Sequence, residues 1–81
     1  MKVLFGEGIP EVFQELPRPV RVHAARIIEL IAIYPEMYPV RAFGLMQGYR
    51  YFNALGYHFY YATSSQEIRV TAILPGRMEQ A

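Results

Sequence analysis

The second half of the chain contains three short apolar and aromatic runs separated by turn-forming residues. The runs cover residues 49–52, 57–62 and 68–74, and the breaks cover 53–56 and 63–67. Short runs rich in aromatic and β-branched residues, bounded by Gly, Asn and Ser, are typical of antiparallel strands joined by turns. The pattern therefore predicts a three-stranded meander.

Alternation within these runs assigns each side chain to one face of the predicted sheet. The residues expected on the core face are Tyr57, Phe59, Tyr61, Ile68, Val70, Ala72 and Leu74. Those expected on the opposite face are His58, Tyr60, Ala62, Arg69 and Thr71. We call this second face the open face, and its Arg, His and Tyr residues make it the first place to look for function.

The first half predicts a strand followed by two helices. Residues 1–5 alternate weakly and are followed by glycines. Pro10 suits the first turn of a short helix, which Pro17 ends. Pro19 then opens a second helix that extends to about Tyr34, because a further proline follows there.

The second helix has two distinct faces. An apolar stripe wide enough to pack on a sheet contains Val20, Ala24, Ile27, Ile28, Ile31 and Tyr34. The opposite face carries Val22, Arg26, Glu29 and Ile33. This face is either an ordinary solvated surface with scattered aliphatic residues or a contact surface for a partner chain. His23 borders the stripe, and we expect it to be structural rather than catalytic.

The length of 81 residues predicts a single α+β domain over residues 1–81, with a modest core. The core residues predicted from the two patterns are Val20, Ile27, Ile31, Phe59, Tyr61, Val70 and Ala72. A domain this small has little stability to spare, so a partner protein or a homodimer contact would add to it.

The composition excludes several classes of site. The chain has no cysteine, which removes disulfide and thiolate chemistry. His23 and His58 are far apart with no carboxylate cluster beside either, so we expect neither a metal nor a cofactor. Residues 27–34 are interrupted by Glu29 and are too few to span a bilayer. The N-terminus does not read as a signal peptide, and we expect a cytoplasmic protein without membrane contact.

The charge distribution leaves two interpretations open. The net charge is +1, and seven of the eight basic residues are arginine. Arginine suits bidentate phosphate contacts, but an arginine-rich proteome would supply the same composition. Charge alone therefore indicates neither a nucleic acid nor a protein partner.

Several short motifs follow one another in a particular order. The helical region contains Val12-Phe13-Gln14-Glu15-Leu16-Pro17, then Val20, Ala24 or Ala25, Ile28, Leu30 or Ile31, and Pro35. The strand region contains Tyr49-Arg50-Tyr51-Phe52, Gly56-Tyr57-His58-Phe59-Tyr60-Tyr61, Ile68-Arg69-Val70, Ile73 and Pro75-Gly76-Arg77. In order and spacing the chain resembles the RelE/ParE toxin superfamily, with its YRRF-type strand, its GYRhhY strand and its HGRR ending.

The resemblance implies the toxin of a type II toxin–antitoxin module. Its fold would be a helical hairpin packed on a small antiparallel sheet, and a cognate antitoxin would hold it inactive. RelE-like members cleave mRNA in the ribosomal A site, whereas ParE-like members inhibit DNA gyrase.

Departures from the family pattern bear on the choice between these branches. His58 stands where the GYR motif has arginine, the preceding strand has Arg50 as its one cation, and Ala81 ends the chain without a terminal tyrosine. Cleavage of RNA needs an acid–base group and cations around the scissile phosphate, so the sequence slightly favours the ParE-like branch. That branch usually has His where Pro75 stands and Arg where Met78 stands.

Three hypotheses follow: a toxin that binds a protein target such as DNA gyrase, an mRNA endoribonuclease, and an inactive remnant of the family. The predicted target-binding residues are Arg50, His58, Tyr60, Arg69 and Arg77. We expect Arg50, His58 and Arg69 on the open face from strand parity, and Arg77 at its rim. Arg50, His58 and Arg77 would be catalytic if the protein is RelE-like. The predicted antitoxin-binding residues are Val22, Arg26, Glu29 and Ile33.

Overall fold

The chain forms one strand, two helices and three further strands, in the order that the sequence predicts. The computed structural model describes residues 1–76, so the predicted site residue Arg77 and also Met78 lie outside the described residues. The elements are β1 (Lys2–Phe5), α1 (Ile9–Glu15), α2 (Arg18–Ile33), β2 (Arg50–Ala54), β3 (Tyr57–Thr63) and β4 (Glu67–Pro75). Neither of the two helices in this part of the chain is long and apolar enough to cross a membrane.

Prolines define the junction between the helices. Leu16 ends α1 in an extended conformation, because the proline that follows it disfavours helical geometry. Pro17 precedes the first residue of α2. The Arg21 guanidinium then donates hydrogen bonds to the carbonyl oxygens of Gln14 (3.1 Å) and Leu16 (2.7 Å), which satisfies the end of α1.

The four strands form one mixed sheet in the order β1-β4-β3-β2. The predicted meander is confirmed, since β2 pairs with β3 and β3 with β4 in antiparallel fashion. The prediction of an antiparallel sheet is wrong for β1, which pairs in parallel with β4. The chain leaves β1 at one edge, passes through both helices and enters β2 at the other edge. Parallel strands require a crossover connection of this kind.

Both helices contribute to a core on one face of the sheet. α1 packs on β4, and α2 contacts the two edge strands β1 and β2. The helical residues of this core are Ile9, Leu16, Val20, Ala24, Ile27 and Ile31, and the strand residues are Phe52, Ala54, Phe59, Tyr61, Ile68, Val70 and Ile73. All of the predicted core residues except Ala72 are buried, which confirms the face assigned to β3 and most of the stripe assigned to α2. The stripe is wrong at Tyr34, which is 60% exposed because α2 ends at Ile33.

The prediction for Ala72 is wrong because β4 contains a β-bulge. Tyr60 pairs with Ala72, whereas the next residue of β3, Tyr61, pairs with Val70. Thr71 is therefore an extra residue, and it reverses the alternation for the rest of the strand. Ile73 replaces Ala72 in the core, and Ala72 and Leu74 move to the open face.

Candidate functional site

Three ring-bearing side chains form a cluster on the open face, the sheet face opposite the helices. Tyr51 of β2 contacts His58 and Tyr60 of β3, with ring centroids 5.3 and 5.5 Å away. His58 and Tyr60 are 6.4 Å apart. The cluster follows from strand register, since Tyr51 is paired with Tyr60 and Asn53 with His58. We call these three residues the open-face cluster.

His58 lies between the amide of Asn53 and the end of β4. Its Nε2 is 3.5 Å from Asn53 Nδ2. A Cβ atom at Gly76 would lie only 3.2 Å from the same nitrogen and 3.3 Å from the Gly56 carbonyl oxygen, so this position favours glycine. The half-buried imidazole therefore has a defined position.

Tyr60 has no exposed surface, although it points away from the main core. Its carbonyl oxygen accepts a hydrogen bond of 3.4 Å from the Thr71 hydroxyl at the bulge. A fully buried ring cannot contact a partner directly. Tyr60 therefore supports Tyr51 and His58, which are partly exposed.

Arg41 adds a cation to the cluster. Its guanidinium carbon lies 5.8 Å from the centre of the Tyr51 ring, at the distance of a cation–π contact. The loop before β2 positions it, because the Arg41 amide donates to the Tyr49 carbonyl oxygen (2.8 Å) and its own carbonyl accepts from the Gly48 amide (2.9 Å). Sequence reasoning missed both Arg41 and Tyr51.

Arg50 does not lie on the open face, and the prediction that placed it there is wrong. It is paired with the core residue Tyr61, so its side chain leaves β2 on the side of the helices. There it donates a 2.6 Å hydrogen bond to the Tyr38 carbonyl oxygen and lies 3.8 Å from the Glu36 carboxylate. Arg50 anchors the loop that follows α2.

The same loop is held by Tyr61, whose hydroxyl donates to the Pro35 carbonyl oxygen at 3.1 Å. Burial raises the pKa of this hydroxyl above its ordinary value of 10.0, and the nearby Arg50 guanidinium opposes the shift. Tyr61 is therefore a structural donor at neutral pH rather than an acid–base group.

Arg69 lies on the open face, toward the end of β3 that is farther from His58. It is paired with Ala62, four residues along β3 from His58, which corresponds to about 13 Å. Its guanidinium donates to the Glu67 carboxylate at 3.2 Å. The structure thus brings together His58 and Tyr60 of the predicted target-binding set and places Arg50 on the other face. Arg69 lies on the open face, nearer to Tyr60 than to His58.

The second predicted surface is exposed as expected. Val22 is 43% and Ile33 66% exposed, and Arg26 and Glu29 also face solvent. His23, which we expected to be structural at the border of the core, is exposed on α2 as well. The helix turns it away from the sheet, because the core stripe takes Ala24 and Ile27 instead.

Among residues 1–76, the groups that the open-face cluster and Arg41 offer are one imidazole, aromatic surface and a guanidinium. Within residues 1–76, His, Asp and Glu side chains form no group of three that could hold a metal ion. Comparison of the chain with protein-family models, with curated proteins and with solved structures finds no match.

Proposed function

We propose that this protein is the toxin of a type II toxin–antitoxin module of the RelE/ParE superfamily. In this proposal it acts in the cytoplasm by binding a protein target, such as DNA gyrase, through the open-face cluster. The order of one strand, two helices and a three-stranded meander supports the proposal, because the family resemblance implies the same order.

The observation that carries the choice of a protein target is that the described residues 1–76 place few cations at the cluster. Among residues 1–76, Arg41 is the one guanidinium that contacts a ring of the cluster. Arg50 lies on the other face, and Arg69 is neutralised by Glu67. A transferring phosphate develops charge that fixed cations must stabilise. A partly exposed tyrosine beside an arginine is instead typical of protein-binding hot spots.

The position of His58 favours a second candidate, a ribosome-dependent mRNA endoribonuclease of the RelE type. Its imidazole contacts Tyr51 and Tyr60, and the Arg41 guanidinium also lies against the Tyr51 ring. One base and one cation are the least that a metal-independent cleavage at a 2′-hydroxyl requires. In this candidate His58 removes the proton of the 2′-hydroxyl, whose oxygen attacks the adjacent phosphorus. A 2′,3′-cyclic phosphate forms as the P–O5′ bond breaks, the 5′-oxygen leaves and is protonated by solvent, and Arg41 stabilises the charge on the phosphate.

The proposed partner on the other side is a cognate antitoxin that covers the exposed face of α2. Val22, Arg26, Glu29 and Ile33 would contact it. Two exposed branched aliphatics beside a charged pair suit an amphipathic segment, which orders on binding.

Inducible expression in a bacterial host tests the proposal, with growth, mRNA integrity and gyrase supercoiling measured in parallel. We expect growth arrest with intact mRNA and loss of supercoiling. Tyr51→Ala should weaken gyrase inhibition about tenfold, because it removes the exposed ring at the centre of the contact. Gln66→Ala, in the exposed turn before β4, is the matched control and should leave inhibition unchanged.

The outcomes separate the candidates. If the wild type cleaves ribosome-bound mRNA and His58→Ala does not, the result would contradict the gyrase proposal and support the endoribonuclease. Folded wild-type protein that leaves growth, mRNA and supercoiling untouched would contradict both and leave an inactive remnant of the family.

A further inference from the structure

The first strand, β1, presents an open edge of the sheet. Among residues 1–76 it is an end strand and pairs only with β4. The other end strand, β2, is partly covered, because the loop before it pairs Val40 with Arg50 and the Arg41 amide donates to the Tyr49 carbonyl oxygen. An open strand edge is a template for pairing with another chain.

The backbone groups of β1 alternate between β4 and the open edge. The Gly6 amide donates to the Val70 carbonyl oxygen at 2.8 Å. The groups of Leu4 therefore also face β4, and those of Val3 and Phe5 face outward. Among residues 1–76, no backbone group outside the sheet bonds to these outward amides and carbonyls. The edge thus offers two sets of donors and acceptors, placed symmetrically about Leu4.

Phe5 adds apolar surface to this edge. It is 43% exposed, and it borders a cleft of about 250 Å³ whose other lining residues are Pro10, Phe13 and Gln14. Val3 lies on the same side of the sheet, packed against the core. A strand added beside β1 would therefore cover apolar side chains as well as backbone groups.

We propose that two copies of this chain pair through β1, in an antiparallel ladder about a two-fold axis at Leu4. In this register Val3 of each copy exchanges hydrogen bonds with Phe5 of the other, and the two Leu4 side chains meet on the open face. Apolar side chains therefore meet on both faces of the ladder. This match of β1 to itself is the reason to favour a second copy over an unrelated strand.

The charges at the ends of the ladder suit the same register. Each Lys2 lies opposite Gly6 of the other copy, so the two ammonium groups are about 13 Å apart along the strands. Glu7 follows that glycine and brings a carboxylate, not a like charge, toward each lysine. Lysine on an edge strand opposes many pairings, but it does not oppose this one.

The dimer would have one continuous sheet of eight strands. All four helices lie on one side of it, because the two-fold axis is perpendicular to the sheet. The two open-face clusters lie together on the other side, separated by about 24 Å across the strands. The dimer therefore presents the cluster twice on one surface.

Single cysteines test the register, because the chain contains no cysteine. The two Leu4 residues form a non-hydrogen-bonded pair, whose Cα separation of about 4.5 Å permits a disulfide. We expect oxidised Leu4→Cys to run as a dimer on a non-reducing gel. Lys2→Cys is the matched control on the same face of β1 and should run as a monomer, since its two copies are about 13 Å apart.

Sedimentation equilibrium between about 1 and 500 µM measures the association of the chain without cysteines. We expect the mass to rise from that of one chain toward that of two. Phe5→Lys should weaken association at least about tenfold, because it puts a charge in place of apolar edge surface. Phe43→Lys makes the same change at a phenylalanine that is 76% exposed but lies in the loop before β2, and should weaken association less than about twofold. Circular dichroism checks that each variant is folded.

A wild type that stays monomeric at the highest concentration would overturn the inference. Cross-linking of Lys2→Cys that equals or exceeds that of Leu4→Cys would overturn it too, because the register would differ. A dimer that Phe43→Lys disrupts and Phe5→Lys does not would place the contact on the loop. Neither measurement involves a target, an antitoxin or toxic activity, so the result is independent of the proposed function.

Discussion

Two consecutive left-handed residues, Leu55 and Gly56, determine the register of the β2–β3 hairpin. Their φ angles are 51° and 95°, and Asn53 Oδ1 accepts a 2.8 Å hydrogen bond from the Gly56 amide. A two-residue turn of this kind pairs Ala54 with Tyr57 and hence Tyr51 with Tyr60. Leu-Gly is not one of the dipeptides that typically favour such a turn. Without the turn, the sequence could not place Tyr51 on the open face or Arg50 on the helix side.

The strain at Leu55 predicts that Leu55→Gly stabilises the protein. We expect the free energy of unfolding to rise by about 0.5–1 kcal/mol, since the relief of left-handed strain exceeds the greater chain entropy of glycine. Urea unfolding followed by circular dichroism measures the change. Gly56→Ala is the matched control and should lower the free energy of unfolding by about 1 kcal/mol. A lower stability for Leu55→Gly would mean that the leucine side chain contributes contacts within the folded chain.

At the scale of elements, the local sequence predicts the helix boundaries well. It predicts poorly which side chains of the second half of β4 face the core. The prolines around Leu16 define α1 and α2, and the apolar periodicity of α2 identifies its buried face. In β4 apolar and polar residues alternate from Ile68 to Ala72, but Ala72, Ile73 and Leu74 are all apolar, so the sequence does not show which of the three faces the core. Packing decides which side chain enters the core, because the bulge places the larger Ile73 opposite Phe59 there.

The bulge predicts that the chain tolerates deletion of Thr71. Without this residue Val70, Ala72 and Ile73 keep their partners Tyr61, Tyr60 and Phe59 in an uninterrupted ladder. We expect the free energy of unfolding to change by less than about 1 kcal/mol, since the one hydrogen bond lost is the weak one to the Tyr60 carbonyl. Urea unfolding and near-ultraviolet circular dichroism measure stability and packing.

Deletion of Arg69 is the control for this experiment, because it removes a neighbouring residue but disrupts the register. One of Ile68 and Val70 would then leave the core, at a cost of about 2–4 kcal/mol. Equal stability of the two deletion variants would show that β4 adjusts its pairing freely and that the bulge has no role in packing.

For the whole molecule, the sequence predicts the number and order of elements but not how the first strand joins the sheet. The parallel pairing of β1 with β4 joins residues 65 positions apart, such as Val3 and Ile68. No local pattern in residues 1–5 specifies that partner. The pairing depends on α2, which contacts both edge strands and so connects the two ends of the sheet. The candidate site depends on the same long-range order, since Arg41 reaches Tyr51 from the loop after α2.

Because α2 joins both edges of the sheet, we expect the same substitution to affect stability very differently at two positions of this helix. Ile31 is fully buried and Ile33 is 66% exposed, so the same substitution tests the fold at one position and the surface at the other. Ile31→Asp places an unpaired carboxylate in the core, which costs several kcal/mol, and a domain of this size has about 5–15 kcal/mol in total. We expect this variant to lose its cooperative thermal transition, while Ile33→Asp keeps a transition within a few degrees of the wild type. A cooperative transition in Ile31→Asp would mean that α2 can detach from the sheet while the strands stay together, and the helix would then not be the element that unites the two edges.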